Sequence, residues 1–210
     1  MPKPSLSKDE VKAMLLQVAD RIIEAEPMLS EADRNLGDGD HGLGMARGMN
    51  AVKEKLAGEV ESIEKAFANT GMAMMSSMGG ASGAIFGTLW RNGGKALAGR
   101  DTFDAQGLAD LIKAGLEGVM TRGGAKPGDK TMIDALHPAS VKAQEVVSLP
   151  LNEAIIAVAA AAADGKEASK AMIATMGRAK TLGEQSIGHP DAGACSVVVI
   201  FDTMRDYICA

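Results

Sequence analysis

Apolar residues recur along this chain at the three- and four-residue spacing of a helix face, and almost nowhere at the alternate spacing of a strand. Val11, Met14, Leu15, Val18, Ile22 and Ile23 mark a first helix, running to about Pro27. It opens on Ser7-Lys8-Asp9-Glu10, a capping box in which Ser7 bonds the third amide and Glu10 reaches back. Met45, Met49, Val52 and Leu56 predict a second helix; Ile63, Phe67, Met74 and Met75 a third; Ile85, Phe86, Leu89 and Trp90 a fourth. Leu108, Leu111, Ile112, Leu116 and Val119 make a fifth. A sixth covers about 130–147, with Asp129 as its N-cap, and His137-Pro138 bends or divides it. Stretches at about 151–163 and 166–177 read as one helix interrupted at Asp164-Gly165, and a closing helix covers about 194–208. The β-branched run 197–200 would suit a strand but has no partner strand. The expected fold is all-α: a barrel or bundle of eight antiparallel helices, with residues 1–210 as a single domain.

Composition sharpens this picture at the loops. The 25 glycines cluster at 37–48, 79–87, 93–99, 123–128 and 177–193, where the chain must turn or approach a ligand closely. Loops two connections apart share an end of an antiparallel bundle. The loops at 33–42, 79–83, 122–129 and 177–193 should therefore gather on one face. With 27 acidic against 22 basic residues the net charge is −5, which argues against a nucleic-acid groove. Cys195 and Cys209 form no CxxC pair, so neither a disulfide framework nor a thiolate zinc site is expected. Residues 1–10 are polar without an apolar signal core, and the longest apolar run, 154–163, is too short to span a bilayer. The expected location is the cytoplasm, with no membrane partner.

Candidate chemistry concentrates in Asp33-Arg34-Asn35-Leu36-Gly37-Asp38-Gly39-Asp40-His41-Gly42. Three carboxylates, Asp33, Asp38 and Asp40, repel one another unless a cation sits among them. Carboxylate oxygens are hard ligands that favour Mg²⁺, Ca²⁺ or Mn²⁺. Any one aspartate alone reads more readily as turn chemistry, and Asp40 as a helix cap, but the three together beside His41 favour a metal site. The turn Gly79-Gly80-Ala81-Ser82-Gly83 opens a helix, and amides at a helix N-terminus attract phosphate. Metal-holding carboxylates beside phosphate-binding amides make a nucleotide site. Arg178 could neutralise a transferring phosphoryl group, whereas His189 reads as structural. Gly128-Asp129-Lys130-Thr131 lacks the glycine and the preceding strand of a P-loop. A metallophosphoesterase would need further His and Asn clusters and strand ends that this chain does not offer.

Several motifs then resemble, in order, the nucleotide-binding L-subunit family of dihydroxyacetone kinases. They are Gly37-Asp38-Gly39-Asp40-His41-Gly42, Gly79-Gly80-Ala81-Ser82-Gly83 with Phe86-Gly87-Thr88, and Lys126-Pro127-Gly128-Asp129-Lys130-Thr131-Met132. Gly177-Arg178-Ala179 and Leu182-Gly183-Glu184 through Ser186-Ile187-Gly188-His189 complete the set. The resemblance implies an eight-helix barrel with ADP or ATP at one end, and two Mg²⁺ ions held by Asp33, Asp38 and Asp40. It implies nucleotide contacts at His41, Gly42, Leu43, Gly44, Gly80, Ala81, Ser82, Gly123, Met132, Arg178, Asp191, Ala192 and Gly193. It also implies partners: a K-type subunit holding dihydroxyacetone, an M-type phosphohistidine donor of the phosphotransferase system, and in some members a transcriptional regulator. Family members often carry Asn at Gly44 and Pro at Ala192. These departures bear on how tightly ADP is retained, and leave open an ATP-dependent ketose or tetrulose kinase subunit with exchanging ATP.

Overall fold

The computed structural model describes residues 2–210. Among them the chain forms α1 (Lys8–Glu24), α2 (Glu26–Arg34), α3 (His41–Lys55), α4 (Ile63–Ser77), α5 (Gly80–Lys95), α6 (Ala105–Gly123), α7 (Ile133–Glu145), α8 (Leu151–Ala168) and α9 (Ala192–Cys209). From α3 onward each helix packs on the next, and the ring closes through α9 on α1 and α1 on α3. The expected eight-helix barrel is this ring. The ninth helix, α2, is not part of it and packs against α3 and α9.

The added helix has a physical reason. The first helix stops at Ala25, and Pro27 falls in the first turn of α2, where a missing N–H costs nothing. Only Leu29 and Ser30 of α2 are buried, too few to show a period in the sequence. The capping box at Ser7 and Glu10 forms as expected.

Four expectations about helix ends and breaks are corrected. Asp129 does not cap α7, whose N-cap position is Met132; its carboxylate instead accepts from the Lys126 amide at 2.8 Å and the Thr175 hydroxyl at 2.8 Å. Pro138 does not divide α7, because it leaves only the Asp134 carbonyl without its helical partner. Asp164-Gly165 does not interrupt α8, since Gly165 is where α8 crosses that same carbonyl. A Cβ on Gly165 would stand 2.2 Å from the Asp134 oxygen and 2.6 Å from Pro138 Cγ. The helix expected to run to 177 ends at Ala168, followed by a 3₁₀ turn at Ser169–Ala171.

Residues 197–200 belong to α9, and the β pairing among the described residues is a single bridge between Leu6 and Phe103. The barrel interior is filled by side chains such as Phe67, Phe86, Phe103, Met14, Met45 and Met49, all essentially inaccessible. Each contributes roughly 1.5–3 kcal/mol by leaving water. Phe67 stacks on Trp90 with centroids 5.8 Å apart and tilts against Phe103 at 5.4 Å. Cys195 and Cys209 are free thiols. No described helix is long and apolar enough to cross a membrane.

Candidate functional site

The antiparallel ring brings four of its connections together at one end, around a cavity of about 510 Å³. That volume lies in the range of small-molecule sites. One wall comes from the α2–α3 connection, with Asp33, Asp38, Asp40, His41 and Gly44. The α4–α5 turn contributes Gly80, Ala81 and Ser82, and the approach to α7 contributes Met132. The segment between α8 and α9 brings Arg178, and the start of α9 brings Asp191, Ala192 and Gly193.

Asp33, Asp38 and Asp40 each offer a carboxylate oxygen, and the three oxygens lie within 4.8 Å of one another. That spacing and that donor chemistry fit a divalent hard cation. The alternative capping role of Asp40 is not taken: it stands at the N-cap position of α3, yet its side chain makes no capping bond. Asp33 does that work from α2, its Oδ2 accepting from the His41 amide at 3.2 Å. The loop then closes tightly, and a Cβ at Gly37 would fall 2.8 Å from Asp33 Oδ1. Arg178 supplies the only side-chain cation paired with the trio among the described residues, through Nη1 to Asp38 Oδ2. The guanidinium is 71% exposed and Asp38 38%, so this pair is solvent-screened and free to rearrange.

Across the cleft, α5 starts without a side-chain cap. Gly79 and Gly80 take φ of 73° and 61°, a left-handed turn that glycine adopts without strain. The amides of Gly80, Ala81 and Ser82 make no hydrogen bond among the described residues, so the positive end of α5 faces the cavity uncompensated. The start of α9 differs, because Asp191 Oδ2 accepts from the Ala194 amide at 2.8 Å. Burial pushes the Asp191 carboxyl up to about 7; Asp134 adds to this, and the Ala194 and Gly193 amides and Lys130 oppose it. His41 is buried, its Nε2 2.7 Å from Ser196 Oγ, and its ring lies against Phe86. Burial lowers its pKa, with Asp33 and Asp40 pulling the other way, which favours a neutral ring.

A profile of the DAK2 domain matches residues 35–206. The chain belongs to the DAK2 family. This DAK2 chain is 40% identical over 199 residues to the ADP-binding subunit DhaL of PEP-dependent dihydroxyacetone kinase 1 from Listeria innocua, covering 94% of this chain and 95% of that one. It is 37% identical to the corresponding Escherichia coli subunit, covering 95% and 97%. It is 36% identical to an L-erythrulose 1-kinase of Mycolicibacterium smegmatis, covering 87% of this chain but 33% of that longer one. Among solved structures it is similar to the dihydroxyacetone kinase from C. freundii in complex with AMP-PNP and Mg²⁺. The TM-score there is 0.74 at 25% identity, spanning 98% of this chain and 34% of that one.

Three expected contact residues of the DAK2 chain do not line the cavity. Gly42 faces α2, where a Cβ would sit 2.3 Å from the Glu26 carbonyl, so the glycine lets the two helices approach closely. Leu43 is 60% exposed on the outer side of α3. Gly123 ends α6, and a Cβ there would stand 3.1 Å from Cδ1 of Ile85, which itself lines the cavity. Conversely, Arg47, Ile85, Phe86, Lys130, Thr131 and Met176 also line it; Phe86, Lys130 and Thr131 stand in the quoted motifs without an assigned contact, and Arg47, Ile85 and Met176 lie outside those motifs. Arg47 is detectable in principle, since His41, Gly44 and Arg47 fall on one face of a helix at three-residue spacing. Its guanidinium donates to the Met78 carbonyl at 2.6 Å and ties α3 to the end of α4. No sequence period marks Lys130 and Thr131, which lie in a turn.

Proposed function

We propose that this DAK2 chain is the ADP/ATP-carrying subunit of a dihydroxyacetone kinase. It would receive a phosphoryl group from an M-type phosphotransferase subunit and pass it to dihydroxyacetone held on a K-type subunit, in the cytoplasm. The observation that carries the reading is the facing of two opposite charges across one cavity: the Asp33, Asp38 and Asp40 trio on one side, the uncapped start of α5 on the other. A diphosphate or triphosphate bound with magnesium matches both sides at once. The near full-length similarity to DhaL subunits described as ADP-binding supports it.

Asp33, Asp38 and Asp40 would hold Mg²⁺, with two ions as the proposal, and magnesium bound there supplies the positive charge that lets phosphate oxygens approach three carboxylates. The amides of Gly80, Ala81 and Ser82 would bind phosphate oxygens. Arg178 would face the transferring group once it leaves Asp38, stabilising the charge that spreads over its oxygens. His41, Gly44, Met132, Asp191, Ala192 and Gly193 would line the rest of the nucleotide; Gly42, Leu43 and Gly123 would act from behind that lining. No side-chain nucleophile is needed, because phosphoryl transfer depends on positioning and charge.

A second reading keeps the same site but exchanges ATP freely, as a ketose or tetrulose kinase subunit. Gly44 favours it, since a Cβ there would meet nothing within 4 Å and the glycine offers the nucleotide no side-chain contact. Mass spectrometry of the protein as purified, followed by reconstitution with K-type and M-type subunits, separates the two. ADP that survives dialysis and turnover driven by phosphoenolpyruvate support the carrier. Turnover with free ATP and no M-type subunit supports the exchanging kinase. Absence of any nucleotide binding removes both.

A further inference from the structure

Between α8 and α9 the chain crosses from the 3₁₀ turn Ser169–Ala171 to Asp191, and on the way it presents Arg178 to the cavity. This strap needs an anchor if Arg178 is to stand at one place. The turn it leaves from is bound by a lysine from a different part of the chain. Lys130 Nζ donates to the Ser169 carbonyl at 2.7 Å and to the Met172 carbonyl at 3.1 Å. Those carbonyls close the end of α8, where the helix dipole is negative and favours an ammonium. Lys130 is 2% exposed, and its backbone has φ 58°, a left-handed conformation that non-glycine residues seldom hold. A buried ammonium is costly unless it is bonded, and a strained backbone persists only where its surroundings over-determine it. The two Nζ bonds meet the first condition, and the bonds that hold the backbone on either side of the lysine meet the second.

Further bonds radiate from the anchored turn. Ser169 Oγ accepts from the Asp191 amide at 3.3 Å, and the Lys170 carbonyl accepts from the Gly188 amide at 2.8 Å. The residue before the lysine adds a second stitch, with the Asp129 carbonyl accepting from the Thr175 amide at 3.2 Å and its carboxylate from the Thr175 hydroxyl at 2.8 Å. The ammonium also faces Asp191 and Asp134 electrostatically. Asp134 in turn accepts from the Gly128 and Thr131 amides at 2.6 and 2.8 Å, which fixes the turn that carries the lysine.

We propose that Lys130 is a positioning residue for the nucleotide: its ammonium clamps the 169–172 turn to the α6–α7 connection, and so sets where Arg178 and Asp191 stand on the cavity wall. This deepens the nucleotide reading and rests on it. The role differs from that of the trio, because Lys130 lies outside the metal ligands and acts through the strap.

The test compares Lys130→Met with Lys130→Gly in the full-length chain. Glycine accepts the left-handed backbone without strain, so it removes the ammonium while keeping the turn. Three readouts are taken: hydrogen exchange of amides 173–188 without nucleotide, Mn²⁺ binding without nucleotide, and calorimetric ADP affinity with Mg²⁺. Both variants should lose exchange protection in 173–188 and bind ADP about tenfold more weakly. Mn²⁺ binding and helix content should stay at wild-type levels. Thr175→Val, which removes one stitch at an exposed residue, should show a smaller change in the same direction. Wild-type ADP affinity and wild-type protection in Lys130→Gly overturn the clamp. Parallel loss of Mn²⁺ and ADP binding also overturns it, since that marks general unfolding. A wild-type chain that binds no ADP, with the strap still loosened by the substitutions, overturns the nucleotide reading and with it the assigned role.

Discussion

Replacing Gly165 by alanine sets helix propensity directly against packing. In a helix interior alanine is favoured over glycine by about 1 kcal/mol, so propensity alone predicts a more stable protein. The added Cβ, however, would lie 2.2 Å from the Asp134 carbonyl oxygen and 2.6 Å from Pro138 Cγ. Carbon–oxygen contacts relax to roughly 3.3 Å or more, so about 1 Å of overlap must be relieved by moving α7 away from α8. Neither of these atoms is the end of a flexible side chain. Overpacking typically costs about 1–3 kcal/mol, and an overlap this large against rigid atoms falls in the upper part of that range, about 2–3 kcal/mol, which exceeds the propensity gain. The expected net loss is about 1–2 kcal/mol, or a fall in Tm of about 2–8 °C for a chain of this size. Because Asp134 on α7 holds the Gly128 and Thr131 amides, the shift should reach Lys130–Met132 and weaken ADP binding as well. Gly44→Ala is the paired control: nothing lies within 4 Å of its Cβ, so propensity acts alone and Tm should rise by about 2–4 °C. Thermal unfolding by circular dichroism, with calorimetric ADP titration, reads both. A Gly165→Ala protein as stable as wild type, or a Gly44→Ala protein less stable, refutes the packing argument.

Other outcomes follow from the cleft and its supports. Burial raises the Asp191 carboxyl to about 7, above its unfolded value of 3.8. Its contribution to stability is therefore complete below about pH 4 and is lost as pH rises through about 7. Asp191→Asn keeps the N-cap, so it should remove that decline and raise Tm at about pH 8 relative to wild type; an unchanged pH profile would refute the assignment. Ala192→Pro places proline at the first position of α9, where the Ala192 amide makes no hydrogen bond and Asp191 already holds φ −64°, ψ 135°. Stability should rise by about 0.4–1 kcal/mol in chemical denaturation, and a loss would count against this cap geometry at the start of α9. Arg178→Gln should slow phosphoryl transfer by roughly 10²-fold or more in the reconstituted kinase while leaving Mn²⁺ binding intact. A fall in Mn²⁺ affinity with unchanged transfer would reverse that role.

What the sequence disclosed and what it hid divide along range of interaction. The ring helices are legible because each carries a long apolar stripe, as in Val11 to Ile22 or Leu108 to Val119. The gathering of four loops at one end follows from antiparallel alternation alone. The nine-residue α2 carries only Leu29 and Ser30 inward, so its pattern looks like loop. Glycines mislead where they serve packing: Gly165 reads as a break, yet it marks a backbone carbonyl of another helix at close range. Asp129 reads as a cap because caps are local, whereas its partner Thr175 is remote in sequence. Lys130 is visible as part of a motif, but its partners are hidden for the same reason, since the carbonyls it binds lie beyond two intervening helices.

In the proposed function the Asp33, Asp38 and Asp40 oxygens, within 4.8 Å of one another, hold the cation that couples this chain to a nucleotide. Calorimetric titration of ADP into wild type and Asp38→Asn, each in Mg²⁺ and in EDTA, tests it directly. Wild type should bind ADP at least about tenfold more tightly with Mg²⁺, a coupling of about 1.4 kcal/mol, and Asp38→Asn should lose that difference while keeping its helix content. ADP affinity indifferent to Mg²⁺ in wild type, or a Mg²⁺ dependence that survives in Asp38→Asn, contradicts the account.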